Sequence, residues 1–167
     1  MNQRLYAACD PLGDEARNAD RGVFFQSIHH TLSHIAVADK IWLLRFAQQG
    51  VDFPALAPEL LQLPEGATHA SELHPEWADL KREREQLDAA IEDWLARMPA
   101  DFPGQIMRYA NSAGVARAHP AWQAMSHFFN HQTHHRGQAT TLLSQAGVDV
   151  GVTDLIAQAS VESVKSA

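Results

Sequence analysis

The stretch PAWQAMSHFFNHQTHHRGQATTLLSQAG, residues 120–147, decides the fold of this chain. Pro120 suits the first turn of a helix because proline lacks a backbone N–H, and Gly147 suits the position just past the end because glycine adopts left-handed backbone angles without strain. Between them, apolar residues recur at three- and four-residue spacing, which is typical of an amphipathic helix that packs against other helices. We therefore predict a helix from Pro120 to about Gln145.

This helix contains the cluster NHQTHHRGQ, residues 130–138, whose histidines do not share one face. At about 100° per residue, His135 lies within the apolar arc and His131 lies on its edge, whereas His127 and His134 fall on the polar side. His131 and His135 are four residues apart, so both rings can reach one ion. Imidazole nitrogen suits divalent transition metals, and two ligands rarely complete a site, so we expect a third ligand from another helix.

A second helix that carries histidines is predicted from Val23 to about Gln48. Its apolar side repeats at helical spacing and is formed by Phe24, Ile28, Ile35, Trp42 and Phe46. His34 borders this side, whereas His30 lies further out and His29 points nearly away from it. His34 is therefore the best candidate for the third ligand.

The alternative to a metal site is a set of ordinary polar histidines. An isolated histidine at the edge of a core is usually hydrogen-bonded to a neighbour, and a pair four residues apart is more often structural or solvated than metal-bound. A third core-edge histidine changes this balance, because three buried imidazoles without partners would each be costly. One divalent ion, zinc or nickel, would satisfy His34, His131 and His135 together and leave a position for water or substrate.

The remaining sequence predicts an all-α helix bundle in a single domain, residues 1–167. Residues 1–22 are helix-prone but interrupted by DPLGD, and another long amphipathic helix is predicted from about Glu76 to Arg97. Residues 50–76 carry four prolines. So long a connection can cross the bundle and leave the helices on either side of it parallel. Between Pro99 and His119 a short hairpin is possible.

Composition and charge exclude several function classes. Thirteen Lys and Arg against twenty Asp and Glu give a formal charge of −7, which argues against a general nucleic-acid binder. A single cysteine, Cys9, excludes an internal disulfide and a cysteine-based zinc cluster. The N-terminal residues lack the apolar core of a signal peptide, and no stretch approaches the ~18 apolar residues of a membrane span. We therefore expect a cytoplasmic protein without a membrane partner.

Three residues near the histidines have alternative roles. Asp39 is a candidate to support a histidine ligand, but its angle of about 140° from His34 favours a salt bridge elsewhere. Arg136 can anchor an anionic substrate at the rim of the site, and an ion pair on the helix surface is the alternative. Gly137 costs up to ~1 kcal/mol relative to alanine in a helix, which suggests close packing of a neighbouring helix.

The segments HFFNHQTHHRGQATTLLSQAG (127–147) and SIHHTLSHIAVADKIWLLRF (27–46) together resemble the DinB family, named for DNA-damage-inducible bacterial proteins. The resemblance covers nearly the whole chain. It implies a four-helix bundle in up-down-down-up order and a metal held by three histidines, which by position are His34, His131 and His135. Related proteins include S-transferases that use bacillithiol, mycothiol or glutathione, and a maleylpyruvate isomerase that uses mycothiol.

The resemblance and the open coordination position lead us to expect a metal-dependent thiol S-transferase that acts on small electrophiles. A bound thiol would be held as thiolate and attack the electrophile. A non-catalytic, stress-related metal-binding bundle and a metal-dependent hydrolase are the alternatives. An HExxH motif has a glutamate directly after its first histidine. Here His131 is followed by Gln132 and Thr133, and the missing glutamate argues against a metalloprotease. We do not expect Cys9 to be the nucleophile, because it precedes the DPLGD break.

The aromatic content also bears on assembly. Four large aromatic residues exceed what one small bundle needs and predict a homodimer, although all four can equally belong to the core: Trp42, Phe46, Trp77 and Trp94.

Overall fold

The computed structural model describes residues 1–158, and helices dominate this part of the chain. Its α-helices are α1 (Asn2–Cys9), α2 (Asp14–Asn18), α3 (Ile28–Ala47), α4 (Pro58–Leu61), α5 (Trp77–Arg97) and α6 (Ala121–Gln145). Short 3₁₀ turns occupy Phe102–Gly104 and Leu155–Gln158, and strands β1 (Ile106–Ala110) and β2 (Ala116–Pro120) pair antiparallel. The three long helices and the hairpin match the sequence predictions, and within residues 1–158 no helix has the length and apolarity to span a membrane.

The core lies where α3, α5 and α6 meet. α3 packs against both α5 and α6, and α1 packs against α5 and α6 on the other side. Phe46 stacks on Trp94 with ring centroids 4.8 Å apart, and Phe128 meets both rings edge-on. Phe46 and Trp94 are buried. Two of the four aromatic residues that suggested a dimer therefore belong to the interior of one chain.

Helix α3 begins five residues later than the apolar spacing predicts. Ser27 caps it, because the Ser27 Oγ accepts a hydrogen bond from the backbone N–H of His30 at 3.1 Å and the Ser27 backbone is extended. The residues before the cap form a tight loop in which Gln26 has a φ of +63°. Phe24 is 81% exposed, so its assignment to the core is wrong. The residues before Ser27 lie outside the helix, so their apolar spacing does not predict which of them are buried.

The long connection between α3 and α5 buries Phe53, Leu56 and Leu61 in the core and is also hydrogen-bonded to α3. Side chains of α3 bond to four of its backbone groups. The Lys40 Nζ donates to the Gln62 carbonyl (3.2 Å), and the Ser33 Oγ accepts from the Leu73 N–H (2.6 Å). The ring N–H groups of His34 and His29 donate to the carbonyls of His69 and His74 (2.6 Å each). The connection therefore runs along the same helix that carries the candidate ligand His34.

Helix α6 is bounded as its sequence predicts. Pro120 occupies the N-cap position, and the backbone N–H of Ala121 donates to the Gln105 carbonyl at 2.8 Å. At the other end Gly147 adopts a φ of +78°, and the N–H of Val148 donates to the Leu143 carbonyl at 2.9 Å.

Candidate metal centre

Three histidine rings converge between α3 and α6. The Nε2 of His34 lies 3.2 Å from the Nε2 of His131 and 3.2 Å from the Nε2 of His135. Zinc–imidazole bonds of 2.0–2.1 Å place two nitrogens about 3.3 Å apart at the corners of a tetrahedron. The two distances from His34 therefore fit a divalent ion. The ring nitrogens of the three predicted ligands all lie within 4.8 Å of one another and form a group that could hold one.

Hydrogen bonds on the far side of two rings fix where their protons lie. The His34 Nδ1–H donates to the carbonyl oxygen of His69 at 2.6 Å, and the His135 Nδ1–H donates to the Oε1 of Gln138 at 2.8 Å. In a neutral imidazole the other nitrogen then carries a lone pair. The Nε2 lone pairs of His34 and His135 thus face each other with no proton between them. A bound cation removes this repulsion, so the donor set fits a metal ion.

The rings are neutral at pH 7, which is the form that binds a metal. Burial lowers the pKa of His34 to about 4, partly opposed by its bond to the His69 carbonyl. Burial, with repulsion from His135 and His34, lowers the pKa of His131 to about 3. The pKa of His135 is also lowered, first by burial, while its bond to Gln138 acts in the opposite direction.

An aromatic side chain covers part of the histidine group. Phe25 stacks on the His34 ring with centroids 4.0 Å apart and an interplanar angle of 20°, and it meets the His135 ring edge-on at 5.5 Å. The sequence prediction missed this contact, because it placed Phe25 inside α3 instead of in the loop before Ser27. Among residues 1–158 the group contains three histidines and no carboxylate. Three protein ligands leave a divalent ion with a free position.

The histidines predicted to lie outside the site have other neighbours. His29 is buried, and its Nε2 lies 3.4 Å from a carboxylate oxygen of Glu72, whose other oxygen lies 3.5 Å from the Nε2 of His30. His127 packs its ring against Trp42, with centroids 5.0 Å apart. His134 is exposed and its Nε2 lies 3.3 Å from the side-chain amide nitrogen of Gln138.

Asp39 forms a buried salt bridge with Arg84, at 2.5 Å, so the salt-bridge alternative for this residue is correct. Asp39 also accepts a hydrogen bond from the Gln132 Nε2 at 2.8 Å. The sequence prediction missed Gln132, although at about 100° from His131 it falls within the apolar arc of α6. Burial raises the pKa of Asp39, and the guanidinium of Arg84 counteracts that shift.

Arg136 and Gly137 differ from their sequence predictions. Arg136 donates to the Gln132 Oε1 at 3.3 Å and to the Thr133 Oγ1 at 3.1 Å, away from the three histidines. No salt bridge of Arg136 is found within residues 1–158, and Arg136 lines a cavity that none of the three histidines lines, which does not support a role at the rim of the metal site. A Cβ added at Gly137 would meet nothing within 4 Å, so close packing does not explain this glycine.

Comparisons with known proteins place the chain in a family. The model of the DinB family matches residues 1–165, which include both histidine-bearing helices. Protein DinB of Bacillus subtilis (strain 168) is 30% identical over 154 residues, which are 92% of this chain and 84% of that protein. No solved structure gives a significant match. The chain belongs to the DinB family.

Proposed function

We propose that the chain is a metal-dependent thiol S-transferase that acts on small electrophiles, with His34, His131 and His135 as its metal ligands. The observation that carries this proposal is the convergence of three neutral ring nitrogens, without a carboxylate in their group in the described part of the chain. A divalent ion there, zinc or nickel, would supply a Lewis acid with a free position that keeps a thiol deprotonated at neutral pH.

The chain's own residues prepare this site. The His69 carbonyl and the Gln138 side chain orient the rings of His34 and His135, so that both Nε2 lone pairs point to one place. Phe25 covers the face of His34 and thereby excludes water from one side of the group. These contacts hold the ligands in position before an ion arrives, which lowers the cost of binding it.

Cys9 is unsuited to supply the reacting sulfur. It is fully buried, and burial raises the pKa of its thiol to about 12. The thiol is therefore protonated at neutral pH, and only the thiolate is a good nucleophile. A small-molecule thiol is the better source of the sulfur. Its thiolate forms a carbon–sulfur bond while an alkyl halide releases halide, an epoxide ring opens to an alkoxide that takes up a proton, or the second carbon of a maleyl double bond takes up a proton.

Metal-loaded protein is expected to accelerate conjugation of bacillithiol, mycothiol or glutathione to an epoxide, an alkyl halide or a maleyl double bond, relative to metal-free protein. The rate is measured by following thiol consumption. His135→Ala is expected to abolish the acceleration, and Cys9→Ala is expected to leave the rate unchanged. If no thiol and electrophile pair reacts faster than with metal-free protein, the non-catalytic bundle replaces the transferase. Metal-dependent ester cleavage without added thiol would favour the hydrolase.

The order of the helices is part of the same proposal. We infer that α1, α3, α5 and α6 follow the up-down-down-up order. The long connection from α3 to α5, docked along α3 through the carbonyls of Gln62 and His74, supports this order because it returns the chain along the helix it has just left.

A homodimer is expected in solution, in which the aromatic residues at the surface pack between chains. Trp42 and Trp77 are half-buried and Trp122 is 52% exposed, so each leaves apolar area that a second chain can cover. Sedimentation velocity at micromolar concentration is expected to give a species of two chain masses. A single species with the mass of one chain would contradict the dimer.

A further inference from the structure

A second candidate binding site lies on the side of α6 that faces away from the histidines. A cavity of about 540 Å³ opens there between α1, α6 and the segment that follows α6. This volume lies in the range of about 300–1,000 Å³ that is usual for small-molecule sites. At about 100° per residue, the α6 residues that line the cavity point roughly opposite to His131 and His135. They are Phe129, Thr133, Arg136, Gly137 and Thr140. The cavity is therefore distinct from the metal centre.

The lining of the cavity is mostly apolar, with few charges. Leu5, Phe129 and Val150 supply apolar walls, and the charged side chains in the lining are Arg4, Arg136 and Asp154. Met1, with its α-amino group, also lies in the lining, so positive groups outnumber the single carboxylate. Such a lining complements a molecule with an apolar body and a negatively charged head group.

Arg136 is the group best placed to receive that charge. It is half-buried, and its two hydrogen-bond partners, the Gln132 Oε1 and the Thr133 Oγ1, are both neutral. Arginine has five N–H donors, so donors remain for a ligand. Burial lowers the pKa of Arg136, opposed in part by Asp39. The guanidinium has thus lost hydration without gaining a bonded carboxylate in the described residues, and a bound anion would compensate that loss.

A buried polar chain holds this guanidinium in place. Arg84 pairs with Asp39, Asp39 accepts from Gln132, and Gln132 accepts from Arg136. The chain runs from α5 through α3 to α6 and ends at the wall of the cavity. Arg4 lies on the opposite side, where it donates to the Val152 carbonyl at 2.6 Å and so ties the segment after α6 to α1. Hydrogen bonds therefore hold both walls of the cavity, the one with Arg136 and the one with Arg4.

We propose that this cavity binds a small amphipathic monocarboxylate, with its carboxylate on Arg136 and its hydrocarbon chain against Leu5, Phe129 and Val150. Arginine and carboxylate are matched in shape, because two parallel N–H groups meet two oxygens. The hydrocarbon chain gains by leaving water for the apolar walls. Neither contact involves the histidines, so the binding does not depend on the metal.

Isothermal titration of the full chain with sodium octanoate tests this proposal. Saturable binding is expected, and 1-octanol and sodium acetate are each expected to bind at least about 10-fold more weakly, since the first lacks the charge and the second lacks the chain. Arg136→Met is expected to weaken octanoate binding about 10- to 100-fold, which is the usual contribution of a hydrogen bond to a charged group. No saturable binding, or equal binding of 1-octanol, would overturn the proposal.

Two further variants test whether octanoate binds in the cavity itself and not at the metal centre. Gly137→Leu places a side chain into open space in the cavity and is expected to abolish octanoate binding, whereas the matched Gly137→Ala retains it. Carboxylates also bind divalent ions, so the titration is repeated with His135→Ala, in which octanoate is expected to bind as in the unchanged chain. Loss of binding in His135→Ala, or its retention in Gly137→Leu, would overturn the assignment, and neither result bears on the transferase proposal.

Discussion

Purified His135→Ala protein is expected to contain no bound divalent metal, whereas His134→Ala protein is expected to retain about one ion per chain. The Nε2 of His135 lies 3.2 Å from that of His34, and removing it leaves two protein ligands. Two imidazoles hold a divalent ion far more weakly than three, and dialysis against a mild chelator then empties the site. Inductively coupled plasma mass spectrometry of the dialysed proteins measures the result, and His34→Ala and His131→Ala are expected to behave like His135→Ala.

The adjacent histidine is the matched control. His134 lies on the same helix with the same side chain, but it is exposed and is not part of the three-histidine group. His30→Ala is the corresponding control on α3, because its ring lies near Glu72 and outside the group. An empty site in His134→Ala together with a full site in His135→Ala would show that the ligand assignment is wrong.

Arg84→Met is expected to destabilise the fold by about 3–5 kcal/mol, because it leaves the carboxylate of Asp39 buried without its cation. Asp39 and Arg84 are 1% and 2% exposed, so water cannot replace the missing charge. Urea unfolding followed by circular dichroism gives the free energy of unfolding. The double variant Asp39→Leu/Arg84→Met is expected to recover much of the loss, because neither charge then remains in the core.

An exposed ion pair provides the comparison. Arg97 and Asp93 on the same helix have side chains 67% and 41% exposed, and Arg97→Met is expected to cost less than about 1 kcal/mol. If Arg84→Met cost no more than Arg97→Met, the buried pair would not hold α3 and α5 together. If the double variant were less stable than Arg84→Met alone, the uncompensated carboxylate would not be the cause of the loss.

The candidate ligands could be predicted from the sequence because the side of a helix on which a residue lies follows from its spacing to the apolar residues nearby. His131 and His135 fall at the apolar edge of α6, and His34 falls at the edge of α3, whatever else the chain does. Two such edges must face each other once the helices pack. The start of α3 was a local property too, since Ser27 is a good N-cap residue, but the apolar spacing of Phe24 obscured that signal.

The partners of the buried polar residues could not be predicted in this way. Asp39 and Arg84 are 45 residues apart in the sequence, and Asp39 and Gln132 are 93 residues apart. The position of a residue around its helix predicts that such side chains face inward. Which of them meet depends on how the three helices are displaced along their axes relative to one another. The same holds for the His69 carbonyl, which lies in a connection without periodicity and orients His34. Tertiary packing alone brings these groups together.

The docked connection limits where this chain can change its length during evolution. Surface loops usually accept insertions, because water solvates whatever backbone is added. Here an extra residue between Gln62 and Leu73 would displace carbonyl and N–H groups that bond to α3, and with them the oxygen that orients His34. The tip of the hairpin, residues 112–114, is exposed, and within residues 1–158 its hydrogen bonds are to its own turn. Insertions, affinity tags and fused domains therefore belong at that tip.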